Sequence, residues 1–230
     1  MLKLLTGEAQ SGKTRWLQRE VEMRTAAGSD CYGVITPGIW RRQTDAPSGQ
    51  TSYEKLGIEA LLLPEGKRIP FACRHDLKNV VEDTAPSQQS DRARLGWAIS
   101  DAALDAVNRH FDALSRQVAA AAAASSSAAG AAAYGHAAPP TAAPAAATNP
   151  AVPGLLVVDE LGPLELEHRG GFSSAVQLLL AGPTWLWPDA LIVVRPRLVN
   201  RARELFQAAW GSAKLCIEPP VDHLRPSPSI

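Results

Sequence analysis

Residues 7–14 read GEAQSGKT, and the fold turns on them. Gly7-Glu8-Ala9-Gln10-Ser11-Gly12-Lys13-Thr14 is an instance of G-x-x-x-x-G-K-[ST], the Walker A pattern of a phosphate-binding loop. Gly7 and Gly12 let the backbone take conformations that a Cβ forbids, so the loop can wrap an anion with its N–H groups turned inward. The positive end of the helix that follows faces the same anion. Lys13 is placed to bring charge to the β- and γ-phosphates, and Thr14 to offer its hydroxyl to Mg²⁺. The flanks agree with that reading. Met1–Leu5 is a short apolar run ending at Thr6-Gly7 and reads as a buried strand. Lys13 to Ala27 has helical spacing, with Trp16, Leu17, Val21 and then Met23 on the core side.

Further along, apolar runs and helical spacings alternate. Cys31–Thr36 is a second short strand, stopped by Pro37-Gly38. Gly57–Leu63 and Arg68–Ala72 flank the turn Pro64-Glu65-Gly66-Lys67 and read as a β-hairpin. Trp97 to Val118 is expected to be helical, with Ile99, Ala103, Val107, Phe111 and Leu114 on one face and Ser100 capping its start. Leu155–Val158 and Ala190–Val194 are continuous apolar runs of the fully buried kind. Gly171–Leu180 and Leu198–Ala209 read as helices, and Lys214–Ile217 as a last short strand. This alternation indicates an α/β domain with a mostly parallel sheet and helices on both faces. In such sheets ligands bind outside the carboxyl ends of the strands.

One segment stands apart. Ala119–Gly154 holds 19 of the chain's 39 alanines, five prolines and no charged residue. It cannot bury enough apolar surface to offset an ordering entropy of roughly 1–2 kcal/mol per residue. Its first half, up to Ala133, has high helix propensity and can extend the preceding helix. Its proline-punctuated second half is expected to be extended or disordered. The organisation is therefore residues 1–118 as the first half of the domain, 119–154 as a low-complexity insertion, 155–218 as the second half, and 219–230 as a loose tail.

Composition excludes several classes. The 230 residues carry 23 Lys+Arg against 23 Asp+Glu, a balance that argues against bulk electrostatic attachment to nucleic acid. No apolar run approaches the roughly 20 residues of a membrane span, and the N-terminal apolar stretch is too short for a secretory signal. Cys31, Cys73 and Cys216 make neither a metal-ligand pattern nor a disulfide framework, which fits a reducing, cytosolic setting.

A phosphate loop needs an acid across the site. Leu155-Leu156-Val157-Val158-Asp159-Glu160 supplies four apolar residues and then two acids, the Walker B arrangement. Asp159 at the strand end is the candidate for Mg²⁺. Glu160 is the candidate base that orients and deprotonates a water for in-line attack on the γ-phosphorus. Gly162-Pro163 makes a sharp turn, and Glu165 and Glu167 read as solvated charge at a helix start. Arg195 directly follows the strand 190–194 and is the favoured extra cation for the developing phosphoryl charge. Arg41 and Arg42 lie beyond the second strand, and Arg197 and Arg201 near a helix start. Trp40 sits in the loop after the second strand, where it either stacks on a base or anchors the loop. The five histidines, at 75, 110, 136, 168 and 223, have no paired carboxylate in the sequence.

These stretches resemble the small P-loop nucleoside-triphosphatases, a family that includes the thermophile nucleoside-triphosphatases and the cancer-related nucleoside triphosphatase. GEAQSGKT, the strand end VITPG at 34–38 and above all VVDELGPLEL at 157–166 carry the resemblance. The hairpin region GIEALLLPEGKRIPFA at 57–72 and VVRP at 193–196 add to it. The resemblance implies a RecA-like α/β fold. It also implies Mg²⁺-dependent hydrolysis of nucleoside triphosphates (ATP, GTP and others) to diphosphate and phosphate, with loose base preference. It assigns Gly7–Thr14 to the phosphates, and Asp159 and Glu160 to metal and water. The family's T-x-E-x-R pattern is absent after the second strand, where Thr36-Pro37-Gly38-Ile39-Trp40-Arg41 stands. Two other functions use the same parts: a P-loop kinase for a small molecule or nucleotide, and an NTP-dependent switch read by a protein partner. A compact arginine-rich lid is missing, and the Asp-Glu pair favours water activation over the kinase.

Overall fold

A computed structural model of the chain describes residues 1–44, 51–74, 97–132 and 153–217. The order is β1 (Leu2–Thr6), α1 (Lys13–Ala26), β2 (Cys31–Ile35), β3 (Gly38–Thr44), β4 (Thr51–Leu63), β5 (Lys67–Arg74), β6 (Trp97–Ile99) and α2 (Asp101–Ala132). It continues with β7 (Leu155–Leu161), a short α3 (Pro163–Leu166), α4 (Ser173–Ala181), β8 (Asp189–Val194), a 3₁₀ turn at Pro196–Leu198, α5 (Val199–Trp210) and β9 (Lys214–Ile217). The tail from Pro219, residues 133–152 of the alanine-rich segment, and His75, His136 and His223 lie outside the described residues.

The sheet runs β6-β5-β4-β2-β7-β8-β1-β9, with β3 paired to β4. Strands β2, β7, β8, β1 and β9 are parallel to one another, as their uninterrupted apolar runs require. Successive side chains of a strand face opposite sides of the sheet, and both sides are covered. Leu156, Val158, Ala190 and Ile192 pack under α2, α4 and α5 with Phe111, Leu179 and Phe206. Leu155, Val157, Leu191 and Val193 face the other side, where α1 supplies Leu17 and Val21. Met23 does not join them, because it is 62% exposed. Cys31 and Cys73 are buried free thiols, and burial pushes the Cys31 thiol up to about 11. Among the described residues no helix is long and apolar enough to cross a membrane.

The antiparallel part departs from expectation in three places. The hairpin at Pro64–Gly66 is present, but β4 begins at Thr51 and pairs over its first half with β3. That ribbon is charged and exposed, so no apolar alternation marks it in the sequence. Trp97–Ile99 is a strand and not the first turn of a helix. It pairs with β5, Ala72 opposite Ile99, and the Ser100 N–H donates to the Phe71 carbonyl at 3.0 Å. Three residues are too few for a period to tell the two apart. The helix starts one residue later, where Ser100 Oγ accepts from the Ala103 N–H at 3.3 Å. Ala103, Leu104, Val107, Phe111 and Leu114 bury its inner face.

Candidate functional site

The loop 7–14 leaves β1 at the carboxyl edge of the parallel strands and enters α1 at Lys13. Gly12 has φ +90°, and Gln10 takes a left-handed φ of +64° without being glycine. Such a residue persists only where its surroundings over-determine it, and such sites cluster at ligand clamps. Lys13 is 7% exposed. Its Nζ donates to the Gly7 carbonyl at 2.8 Å and the Glu8 carbonyl at 2.6 Å, and lies 3.3 Å from Ser11 Oγ. The ammonium is thus folded into the concavity of its own loop.

The acid pair lies near the end of β7, just before Leu161, and the peptide between Asp159 and Glu160 is cis. Strand β8 separates β7 from β1 in the sheet. This insertion of one strand between the phosphate-loop strand and the acid strand is the RecA-like order. Asp159 is 1% exposed. Its Oδ2 accepts from the Thr36 N–H at 3.1 Å, its carbonyl accepts from the Thr36 hydroxyl at 2.8 Å, and the Thr14 side chain hydrogen-bonds its carboxylate. Burial drives its pKa up to about 6, against the pull of the Thr36 and Thr14 hydrogen bonds and with a further push from Glu160. The structure therefore brings together Thr14 and Asp159, which the sequence places 145 positions apart. Thr36, the last residue of the expected second strand, holds the acid instead of extending β2.

Glu160 and Arg195 also meet. Arg195 Nε donates to Glu160 Oε1 at 2.7 Å. Three of the other arginines near this edge have carboxylate or carbonyl partners of their own, and Arg42 lies exposed on β3. Arg41 is bound to Glu54 at 2.6 Å, Arg197 to Glu167 at 3.0 Å, and Arg201 Nε lies 3.3 Å from the Leu166 carbonyl.

Glu165 corrects the sequence reading. It is not solvated charge. Its Oε2 accepts from the Gly162 N–H at 2.8 Å, the N3-to-N-cap half of a capping box at α3, and its Oε1 accepts from the Phe172 N–H at 3.0 Å. Burial raises its pKa, opposed by these N–H groups. The carboxylate staples the turn after the acid pair to the start of α4. Asn108 of α2 adds a second tie, donating to the Gly171 carbonyl and accepting from the Ser174 N–H, each at 3.0 Å. Trp40 is likewise corrected. It belongs to β3 and is 44% exposed, and its indole folds back over Gly38.

Lys55 on β4 was not singled out by any motif. Its stem crosses Gly38, where an added Cβ would lie 2.8 Å from Lys55 Cε and 2.7 Å from Trp40 Nε1. Its ammonium lies 4.9 Å from the centre of the Trp97 ring. Burial lowers its basicity, and the charges of Asp159 and Glu160 oppose that. No sequence pattern marks it, because residues 51–56 carry neither a helical nor a strand period.

The sheet order, the loop after β1 and the acids near the end of β7 define a small P-loop NTPase fold. Comparison with solved structures agrees on the fold. The chain is similar to THEP1 from the hyperthermophile Aquifex aeolicus, at TM-score 0.50 and 14% identity over 96% of this chain and 91% of that one. It also aligns with a human cancer-related nucleoside triphosphatase, at TM-score 0.47 and 15% identity over 96% and 90%. Neither the protein-family profiles nor the curated proteins yield a match.

Proposed function

We propose that the chain hydrolyses nucleoside 5′-triphosphates to the diphosphate and phosphate. The observation that carries this reading is the contact of Thr14 with Asp159, which sets the hydroxyl of the phosphate loop against the buried acid of β7.

The residues fit Mg²⁺. Thr14 and Asp159 offer hard oxygen donors, and a buried carboxylate whose pKa is raised gains from a cation beside it. Among the described residues no group of three or more His, Cys, Asp or Glu forms a protein cage. One or two protein oxygens, with phosphate and water completing the shell, is the usual Mg²⁺ arrangement at phosphates. When bound there, the ion supplies neutralising charge across the β- and γ-phosphates. The protein groups do the rest. The loop N–H groups of residues 7–14 and Lys13 hold the phosphates, Lys13 exchanging its loop carbonyls for phosphate oxygens. Glu160 uses the carboxylate oxygen not engaged by Arg195 to orient a water and take its proton. Arg195 fixes that carboxylate and lies where it can turn to the departing phosphate.

Release of phosphate from each of the four common NTPs with Mg²⁺ and no acceptor tests the reading, with Lys13→Ala as the control. Phosphate release that depends on Lys13 supports it. No release from any NTP removes it, and release that appears only when an acceptor is added favours the kinase.

A further inference from the structure

The parallel strands place Lys13 on one side of the acid pair, after β1. On the other side, beyond β2, the antiparallel ribbon of β3 and β4 rises past the carboxyl edge. Ile35, the last residue of β2, is opposite Leu61, and the strand β4 then continues beyond the edge so that Gly38 faces Ile58 and Trp40 faces Lys55. The backbone of Lys55 is therefore well above the acids. Its side chain turns back down. The Cε lies at Gly38, only two residues after Thr36, and Thr36 is the residue bonded to both the carboxylate and the carbonyl of Asp159. Gly38 makes the return possible, since a Cβ there would meet both the Lys55 stem and the Trp40 ring.

The ammonium that arrives there is half-buried and rests on the Trp97 ring. Among the described residues no carboxylate lies within 4 Å of it, in contrast to Arg41, Arg68, Arg74 and Arg195, each of which is committed to a glutamate. A partly desolvated cation without a carboxylate of its own, at the edge where a triphosphate would end, is a site for an anion.

We propose that Lys55 contacts the γ-phosphate of the bound nucleotide, holding it from the side opposite Lys13. This rests on the triphosphatase reading and adds a substrate contact to it. The triphosphate then lies with Lys13 and the loop N–H groups at its β-end, and with Lys55 over the group that is transferred. Trp97 keeps the ammonium in place before the phosphate arrives, so less rotamer freedom is lost on binding. Lys55 takes the part that an arginine supplied from a partner takes in related chemistry, but from within the same chain.

The test compares affinities of Mg·AMP-PNP and Mg·ADP by calorimetry for wild type, Lys55→Met, Lys55→Gln and Lys55→Arg, alongside phosphate release. Lys55→Met and Lys55→Gln are expected to keep wild-type affinity for Mg·ADP within about twofold and to lose about 10-fold or more of the affinity for Mg·AMP-PNP. Turnover is expected to fall by about 10²–10³-fold, and Lys55→Arg to restore part of both. Equal weakening of both nucleotides, or wild-type values for both, overturns the proposal. So does a wild type that binds the two nucleotides equally. Thermal melts show which variants are folded, and Lys55→Arg keeps the comparison open if a truncation is not. Absence of phosphate release by the wild type, with a Lys55-dependent preference for Mg·AMP-PNP, removes the hydrolysis reading alone.

Discussion

Arg195 and Glu160 form one unit: the guanidinium Nε donates to the carboxylate Oε1 at 2.7 Å and ties the end of β8 to the end of β7. Both side chains are accessible, at 53% and 31% exposure, so the pair contributes little to stability. Its consequence is orientation. In the reaction proposed above, the carboxylate that would align a water is held through one oxygen by Arg195, leaving the other for that water.

That coupling gives the first prediction. Glu160→Gln should retain Mg·ATP and lose turnover by about 10²–10⁴-fold, the usual contribution of a positioned base. Arg195→Ala should lower turnover in the wild-type background and add little in the Glu160→Gln background. If the two losses instead multiply, Arg195 acts on the phosphate independently of Glu160. A double-mutant cycle in kcat separates these outcomes.

Asp159 supplies a pH dependence. Its pKa is raised from 3.8 to about 6 by burial in the folded protein. Below about pH 3.8 the group is neutral in both folded and unfolded chains. As pH rises from there, the unfolded chain ionises first, so stability is lost until the folded group has also ionised, near pH 6. A shift of about two units corresponds to roughly 3 kcal/mol. Glu165 acts in the same direction, so the informative comparison is with Asp159→Asn, which removes only the Asp159 part. Urea denaturation in EDTA should find wild type losing stability relative to Asp159→Asn between about pH 4 and 6, with no further divergence above. A constant difference across that range would show that Asp159 ionises normally.

The parallel half of the fold is legible in the sequence because strands buried on both faces must be apolar throughout: Leu155–Val158 and Ala190–Val194 admit little else. The phosphate loop and the acids are legible for a related reason, since their residue types sit at fixed places relative to those strands. The ribbon of β3 and β4 is not. Its strands are held by cross-strand hydrogen bonds between charged, exposed residues such as Arg41 and Glu54, and nothing in a one-dimensional period records a partner. Lys55, Thr36 and Glu165 are hidden for the same reason. Each acts through a contact distant in the chain: Thr36 with Asp159, Glu165 with Phe172, and Lys55 with Trp97. Glu165 in particular follows a turn and a helix start, where exposed acids are ordinary, and only the return of the chain at Gly171-Phe172 buries it.

Glu165 is expected to be a positioning residue. Glu165→Ala leaves the Gly162 and Phe172 N–H groups without their acceptor, which costs about 1–3 kcal/mol for each group that stays buried, less the relief of removing a buried charge. Glu165→Gln keeps one acceptor oxygen and should cost less. Gly171→Ala should act on the same joint from the other side. Gly171 has φ +61°, and a Cβ there would lie 1.8 Å from Glu165 Oε1. Chemical denaturation ranks the three. A Glu165→Ala protein as stable as wild type would show that the staple is not needed.

The alanine-rich segment gives the last prediction. The buried face of α2 ends near Val118, which is half-buried against the core, and Ala119, Ala120, Ala122 and Ala123 are exposed. Past Val118 the helix, which runs to Ala132, is favoured by alanine propensity. Replacing residues 124–152 with a Gly/Ser linker of similar length keeps the buried positions of α2 named above, Ala103 to Leu114, and leaves Gly154 to lead into β7. The variant should lose less than about 1 kcal/mol, which shifts the melting midpoint by no more than about 2–4 °C in a domain of this size. Turnover should be unchanged, because none of the groups placed at the phosphates or the acids lies in the replaced stretch. A larger drop in the midpoint would mean that the segment packs on the domain. A change in kcat at constant stability would mean that it reaches the carboxyl edge of the sheet.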